Sequence, residues 1–222
     1  MKDIHAVAAK YIQEKNLSAA LNVYEEMLKE NPNDPLIFAN IANVVYMLKE
    51  FDRAVSLYKK AIALDEQCAV AYYGLGNVFY AKEDFSQAAV WFEQAIRHGL
   101  TEDGDVYFLL GVSLMEMQQA RLASMYLLRA TELKAEDPEI WFMYGLCMGK
   151  CEVIDESIRA LQMAIQIDDT HADAHYNLGV AYFMCENQKA AHRHILYTLQ
   201  LQPEHLLAKH ALRILTSEMP ES

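Results

Sequence analysis

The stretch Ala69–Glu102, AVAYYGLGNVFYAKEDFSQAAVWFEQAIRHGLTE, decides the architecture, because the rest of the chain copies it. Numbered from 1 to 34, it places Tyr72 at position 4, Leu75 at 7, Gly76 at 8, Phe79 at 11, Ala88 at 20, Phe92 at 24 and Ala95 at 27. At about 100° per residue the first four fall within roughly 100° of arc, one face of a helix. Positions 17, 20, 24, 27 and 28 form the apolar face of a second helix. A period of this length marks stacked helical hairpins, each of which needs its neighbours to bury its apolar face.

Steps of 34 in both directions give six units: residues 1–34, 35–68, 69–102, 104–137, 138–171 and 172–205, with Asp103 alone outside the count. Position 8 reads Ala8, Ala42, Gly76, Gly111, Gly145, Gly179, and position 20 reads Ala20, Ala54, Ala88, Ala123, Ser157, Ala191. Side chains this small let two helices approach closely, and position 24 (Tyr24, Tyr58, Phe92, Leu127, Leu161, Ile195) fills the space between them. Pro32, Pro35, Pro138 and Pro203 fall between helices or in a first turn, where a missing N–H costs nothing. Gly99 and Gly104 bracket the one-residue insertion, a loop. Leu206–Ser217 continues as a further amphipathic helix with Leu207, Ala211, Leu212 and Leu215 apolar and Lys209 and Arg213 polar, the cap that keeps a last repeat's face from water. The expectation is an all-α, right-handed solenoid of six helix-turn-helix repeats with a capping helix at 206–217, one domain over residues 1–222. Its first helix starts at Met1 without a cap, and the tail after the last helix frays. A monomer is expected, with self-association through the uncapped first helix as the open alternative.

The order aromatic, Leu-Gly, aromatic, Ala, aromatic, Ala resembles the tetratricopeptide repeat (TPR) family over essentially the whole chain. The strings AYYGLGNVFYAKEDFSQA, GDVYFLLGV, HADAHYNLGVAY and QPEHLLAKHA are similar to those of the small cytoplasmic TPR proteins of Gram-positive bacteria. That resemblance implies a protein-interaction scaffold or adaptor whose concave groove is lined by positions 2, 5, 6, 9, 12 and 13 of each first helix. Relatives of this kind are often encoded beside tRNA-thiolation enzymes, so it also implies such an enzyme as a candidate partner.

Here the groove positions hold Asn40 and Asn43; Tyr73, Asn77 and Tyr80; Asp105, Phe108 and Met115; Glu139, Phe142 and Met143; Asp173, Tyr176, Asn177 and Phe183. An idle solvated face would carry Lys, Glu and Gln, whereas a contiguous apolar surface marks a binding site. Tyr offers contact area with a polar tip, Met adapts to irregular ligands, and Asn both donates to and accepts from a peptide backbone. These residues are expected to hold an apolar peptide or helix of a partner, with Tyr73, Tyr80, Phe108, Phe142 and Tyr176 as anchors. The clamp by which co-chaperone TPR domains grip a C-terminal carboxylate resembles a pattern of Lys at 5 and Asn at 9 in one unit, Asn at 6 in the next, and Lys at 2 and Arg at 6 in the third; here Ala39 and Asn43 are followed by Gly74, Asp105 and Leu109, so the cationic members are missing. The alternative resembles the type III translocator chaperones, which also use an apolar TPR trough but have fewer repeats.

Charge and motifs narrow the remaining classes. The 19 basic and 31 acidic residues leave a net charge of −12, and no basic stripe provides a footprint for nucleic acid. The segment MKDIHAVAAKYIQEKN carries charges inside its apolar pattern, unlike a signal peptide, and no stretch reaches the roughly 20 apolar residues of a membrane span. A cytoplasmic protein without membrane contact is expected. Cys68, Cys147, Cys151 and Cys185 form no CxxC pair and read as reduced thiols. His171 and His175, four apart, suit zinc by spacing, but His175 occupies core position 4; Cys147 and Cys151 are also four apart. With no Gly-rich phosphate loop, GxSxG or HExxH, neither catalysis nor a cofactor is expected.

Overall fold

Helix starts and stops follow the 34-residue period. In the structure, a computed structural model that describes residues 4–218, the regular structure of the described residues is all helical. The first helices of the hairpins are α1 (Ile4–Gln13), α3 (Pro35–Met47), α5 (Ala69–Ala81), α7 (Gly104–Glu116), α9 (Pro138–Lys150) and α11 (Ala172–Met184). Their partners are α2 (Leu17–Glu30), α4 (Phe51–Leu64), α6 (Phe85–Arg97), α8 (Ala120–Leu133), α10 (Ile154–Ile167) and α12 (Gln188–Leu201), and α13 (Leu206–Glu218) follows. The expected start at Met1 and the tail beyond Glu218 lie outside the described residues.

One turn recurs six times. Position 15 of each unit has positive φ although none is glycine: Lys15, Lys49, Glu83, Gln118, Glu152 and Glu186, at 58° to 63°. The N–H at position 15 donates to the carbonyl at 12 and the N–H at 16 to the carbonyl at 11, as in Glu83 to Tyr80 (2.9 Å) and Asp84 to Phe79 (2.9 Å). These paired bonds are the Schellman closure, and they satisfy carbonyls that the helix end would orphan. They hold an L-residue in a left-handed conformation that costs about 1–2 kcal/mol. Asn16, Asp84 and Asn187 then cap the second helix by accepting the N–H three residues on.

The chain divides into two compact units, residues 1–113 and 114–222. In the first, α3 packs on α4 and α5 on α6, with α3 also beside α5. A Cβ on Gly76 would overlap the Phe92 ring, so the expected close approach of positions 8 and 24 is real. In the second, Leu161 and Ile195 cover Gly145 and Gly179 in the same way. Ser157, at the alanine position, donates from Oγ to the Gly145 carbonyl at 2.8 Å, which lets a hydroxyl sit in the core.

At the end of the second unit α13 packs on α12 and buries Ala208 and Leu215. Lys209, Arg213 and Thr216 occupy positions 4, 8 and 11 of a seventh frame, the side on which a following second helix would pack, and their polarity stops the repetition. Leu207, expected among the apolar residues of this cap, is 60% exposed instead. Among the described residues no helix is long and apolar enough to cross a membrane.

Candidate functional site

Groove positions line pockets between α3 and α5, between α9 and α11 and between α11 and α13. In the first unit a cleft of about 470 Å³ opens between α3 and α5, lined by Leu36, Ala39, Asn40, Asn43, Val70, Tyr73 and Asn77 together with His5, Tyr58 and Gly74. It therefore joins four of the expected residues: Asn40, Asn43, Tyr73 and Asn77. Gly74 is required here by space, because a side chain would run into the Tyr58 ring that forms part of the wall. Leu36 and Val70 stand at the rim, 52% and 44% exposed.

The electrostatics of this cleft are those of neutral hydrogen-bonding groups beside carboxylates. Burial pushes the Tyr73 hydroxyl above its ordinary acidity range, Asn77 opposes the shift through a side-chain hydrogen bond, and Asp105 and Asp103 add to it. Burial likewise raises Tyr58. Both phenols keep their protons at neutral pH and can donate. Tyr80 is half-buried, edge-on to Phe85 with ring centroids 5.5 Å apart; Asp105 and Phe108 on α7 are half-buried.

In the second unit a pocket of about 310 Å³ lies between α9 and α11, lined by Leu146, Lys150, Asn177, Val180 and Met184 among others. Another, of about 180 Å³, lies between α11 and α13 and is walled by Tyr176, Val180, Phe183, Ile195, Leu207 and Ile214 with His210. Asn177, Tyr176 and Phe183 thus reach pockets, although Asn177 Nδ2 is spent on its own helix at the Asp173 carbonyl, 2.8 Å away. Met143 is half-buried against the core of this unit.

Two expected contacts are corrected. Phe142 is only 9% exposed, a member of the core with Leu161 and Leu178, and His171 covers its ring at 4.6 Å. Met115 is 3% exposed. A helical wheel gives the direction of a side chain but not how far neighbouring groups reach over it, so Phe142 is covered where an anchor was expected and Met115 is buried where a groove-lining residue was expected.

Histidines engage two of the three acidic groove residues, Glu139 and Asp173. His171 Nδ1 accepts the Ala174 N–H at 3.2 Å, capping α11, and its Nε2 faces Glu139 at 3.5 Å. One period later His205 Nδ1 accepts the Ala208 N–H at 3.1 Å, capping α13, its Nε2 lies 3.2 Å from Asp173, and its ring covers Tyr176 at 4.9 Å. A cap of this kind requires the Nδ1 lone pair, so each ring carries its proton on Nε2, aimed at the carboxylate. Glu139 and Asp173 are thus held from within. The signal was present, since 171 and 205, 139 and 173, and 142 and 176 each differ by 34.

The zinc spacing does not assemble: His171 caps while His175, four residues on, faces His194. Cys147 is buried, its Sγ directed at the Ala120 carbonyl at 3.1 Å, and burial pushes its thiol up to about 12. Among the described residues no three His, Cys, Asp or Glu side chains come together as metal ligands.

Comparison with known proteins bears on the fold and the family. Models of the TPR repeat match residues 48–83 and 152–184, and a tetratricopeptide repeat model matches 104–137. No curated protein matches the sequence. Among solved structures, YrrB, described as a TPR protein with an unusual peptide-binding site, aligns with a TM-score of 0.81 and 38% identity over 86% of this chain and 97% of its own. PilF of Pseudomonas aeruginosa aligns at 0.79 with 18% identity over 97% of this chain and 96% of its own. MamA of Desulfovibrio magneticus RS-1 aligns at 0.70, also at 18%, over 77% and 96%. The last two are similar in fold alone.

Proposed function

The chain belongs to the tetratricopeptide-repeat family, and from that premise we propose that it is a non-catalytic adaptor that holds an apolar segment of a partner protein against its first helices. The observation that carries this reading is the cleft between α3 and α5, where Asn40, Asn43 and Asn77 stand beside Tyr73 with exposed Leu36 and Val70 at the rim. Three amides offer both donors and acceptors to a peptide backbone, and the rim offers apolar contact to its side chains. YrrB, at 38% identity, is described as having a peptide-binding site, which supports a peptide as the ligand class. Ala39, in the cleft, stands where a carboxylate clamp places a lysine, which argues against recognition of a partner's C-terminal carboxylate. A tRNA-thiolation enzyme is the first partner to try.

The test is affinity recovery from the native host with the full chain, its Leu36→Glu/Val70→Glu variant and its Asn43→Ala/Asn77→Ala variant. Leu36 and Val70 are exposed, so charges there leave the core intact. If these residues act as interface hot spots, loss of each is expected to cost about 1–2 kcal/mol, roughly 5- to 30-fold in affinity. A partner recovered equally well by both variants, with circular dichroism unchanged, refutes the assignment.

A further inference from the structure

In the third and sixth hairpins, positions 4 and 23 bring a ring of the first helix against a ring of the second. In the third hairpin these are Tyr72 and Trp91, centroids 6.1 Å apart, neither of which titrates near neutrality. In the sixth they are His175 and His194, centroids 5.3 Å apart at 26°. His175 Nε2 lies 3.1 Å from the Asp169 carbonyl oxygen, and its Nδ1 lies 3.1 Å from His194 Nδ1. A carbonyl only accepts, so His175 carries its proton on Nε2 and presents a bare Nδ1, to which His194 donates. The bond needs one bare Nδ1 in the pair: a first proton on His175 can be met by His194 turning to its Nε2–H tautomer and accepting, whereas protonation of both rings sets N–H against N–H.

We propose that the α11–α12 hairpin is an acid-labile element, closed by a neutral histidine pair and opened when that pair takes up protons. The groups facing the pair favour this. Arg193 on α12 and His171 ahead of α11 repel added charge, the rings of Tyr197 (4.5 Å from His175) and Tyr182 (5.7 Å from His194) offer no counter-ion, and Asp168 and Asp169 in the preceding loop draw on His175 alone. Burial, with repulsion from His175 and then Arg193, lowers His194 from an ordinary 6.5 to about 4. Burial lowers His175 as well, against the pull of Asp169. Because the folded value lies below the unfolded one, the stabilisation is complete above the ordinary value and is lost as the pH falls towards 4. The opened hairpin recovers the ordinary value, so from His194 alone the opening equilibrium rises about 20-fold between pH 7 and pH 5. Since α11 carries Tyr176, Asn177 and Phe183, acid withdraws that stretch of groove from a ligand; this consequence alone rests on the proposed peptide-binding role.

The experiment is hydrogen exchange of the full chain at pH 7 and pH 5, corrected for intrinsic rates, with no ligand present, so that its outcome is independent of whether the groove binds a peptide. Peptides from residues 172–201 are expected to lose about 20-fold or more in protection in the wild type, and at most about 2-fold when the third hairpin's rings are grafted in as His175→Tyr/His194→Trp. His194→Asn, which keeps an N–H donor near Nδ1 but cannot titrate, gives an intermediate loss and serves if the graft does not fold. Equal losses in the wild type and His194→Asn overturn the proposal, as does a His194 ring that titrates at its ordinary value in the NMR spectrum of the closed protein.

Discussion

Two glycines four residues apart on α9 are expected to respond in opposite directions to the same substitution. Gly145 and Gly149 are both helical, so replacement by alanine brings each about 0.8–1 kcal/mol of helix propensity. At Gly149 a Cβ would meet only Ser157 Oγ at 3.5 Å, ordinary contact, and the gain survives: Gly149→Ala stabilises by roughly 0.5–1 kcal/mol. At Gly145 the same atom would lie 2.8 Å from Leu161 Cγ and 3.3 Å from its backbone nitrogen, so α10 itself has to shift. Overpacking of this kind costs about 1–3 kcal/mol, which leaves Gly145→Ala at no gain or a loss of roughly 2 kcal/mol. Urea unfolding measures both by fluorescence of Trp141, itself on α9, in a Trp91→Phe background that leaves it the only tryptophan. Because helix and reporter are shared, the difference between the variants isolates the packing of positions 8 and 24. A Gly145→Ala variant as stable as Gly149→Ala refutes the argument that the small residue at position 8 is required by helix approach.

The background substitution carries a prediction of its own. Trp91 Nε1 is buried without a hydrogen-bond partner, so Trp91→Phe removes a penalty of about 1–3 kcal/mol and offsets most of the packing it loses; the free energy of unfolding from the urea curve should change by no more than about 1 kcal/mol, and a loss above about 3 kcal/mol would show that the N–H is satisfied. Val153 starts α10 without a side-chain cap, whereas Asn16, Asp84 and Asn187 cap at the equivalent position; Val153→Asn should raise stability by about 0.5–2 kcal/mol in the same assay, and no gain would mean that the turn cannot present the side chain to the helix.

The helices were legible because close approach constrains residue size at fixed intervals: small residues at 8 and 20 and a large one at 24 can be counted without coordinates. The turn between the helices was not. Left-handed conformations are usually announced by glycine, yet position 15 reads Lys, Lys, Glu, Gln, Glu, Glu, because the two backbone hydrogen bonds of the closure hold residues that would not choose it. In the site, a helical wheel sufficed for Asn40, Asn43, Tyr73 and Asn77, where only the neighbouring first helix matters. It failed for Phe142 because the covering ring, His171, lies 29 positions further on in the loop ahead of α11.

The last helix shows how much one frame can encode. Read as a cap, α13 is amphipathic with its apolar side inward, and that accounts for Ala208 and Leu215. Counted as the first helix of a seventh unit, it separates into two roles. Positions 4, 8 and 11, which elsewhere receive a second helix, hold Lys209, Arg213 and Thr216 and are content in water, so stacking ends. Positions 2 and 9 hold Leu207 and Ile214, 60% and 38% exposed, which repeat the groove side and complete the apolar pocket with Tyr176 and Phe183. A helix selected only to terminate the array would have polar residues on both faces. Polarity on the stacking face alone means that the two faces of α13 answer to separate demands, one turned to water and the other walling the α11–α13 pocket with Tyr176 and Phe183.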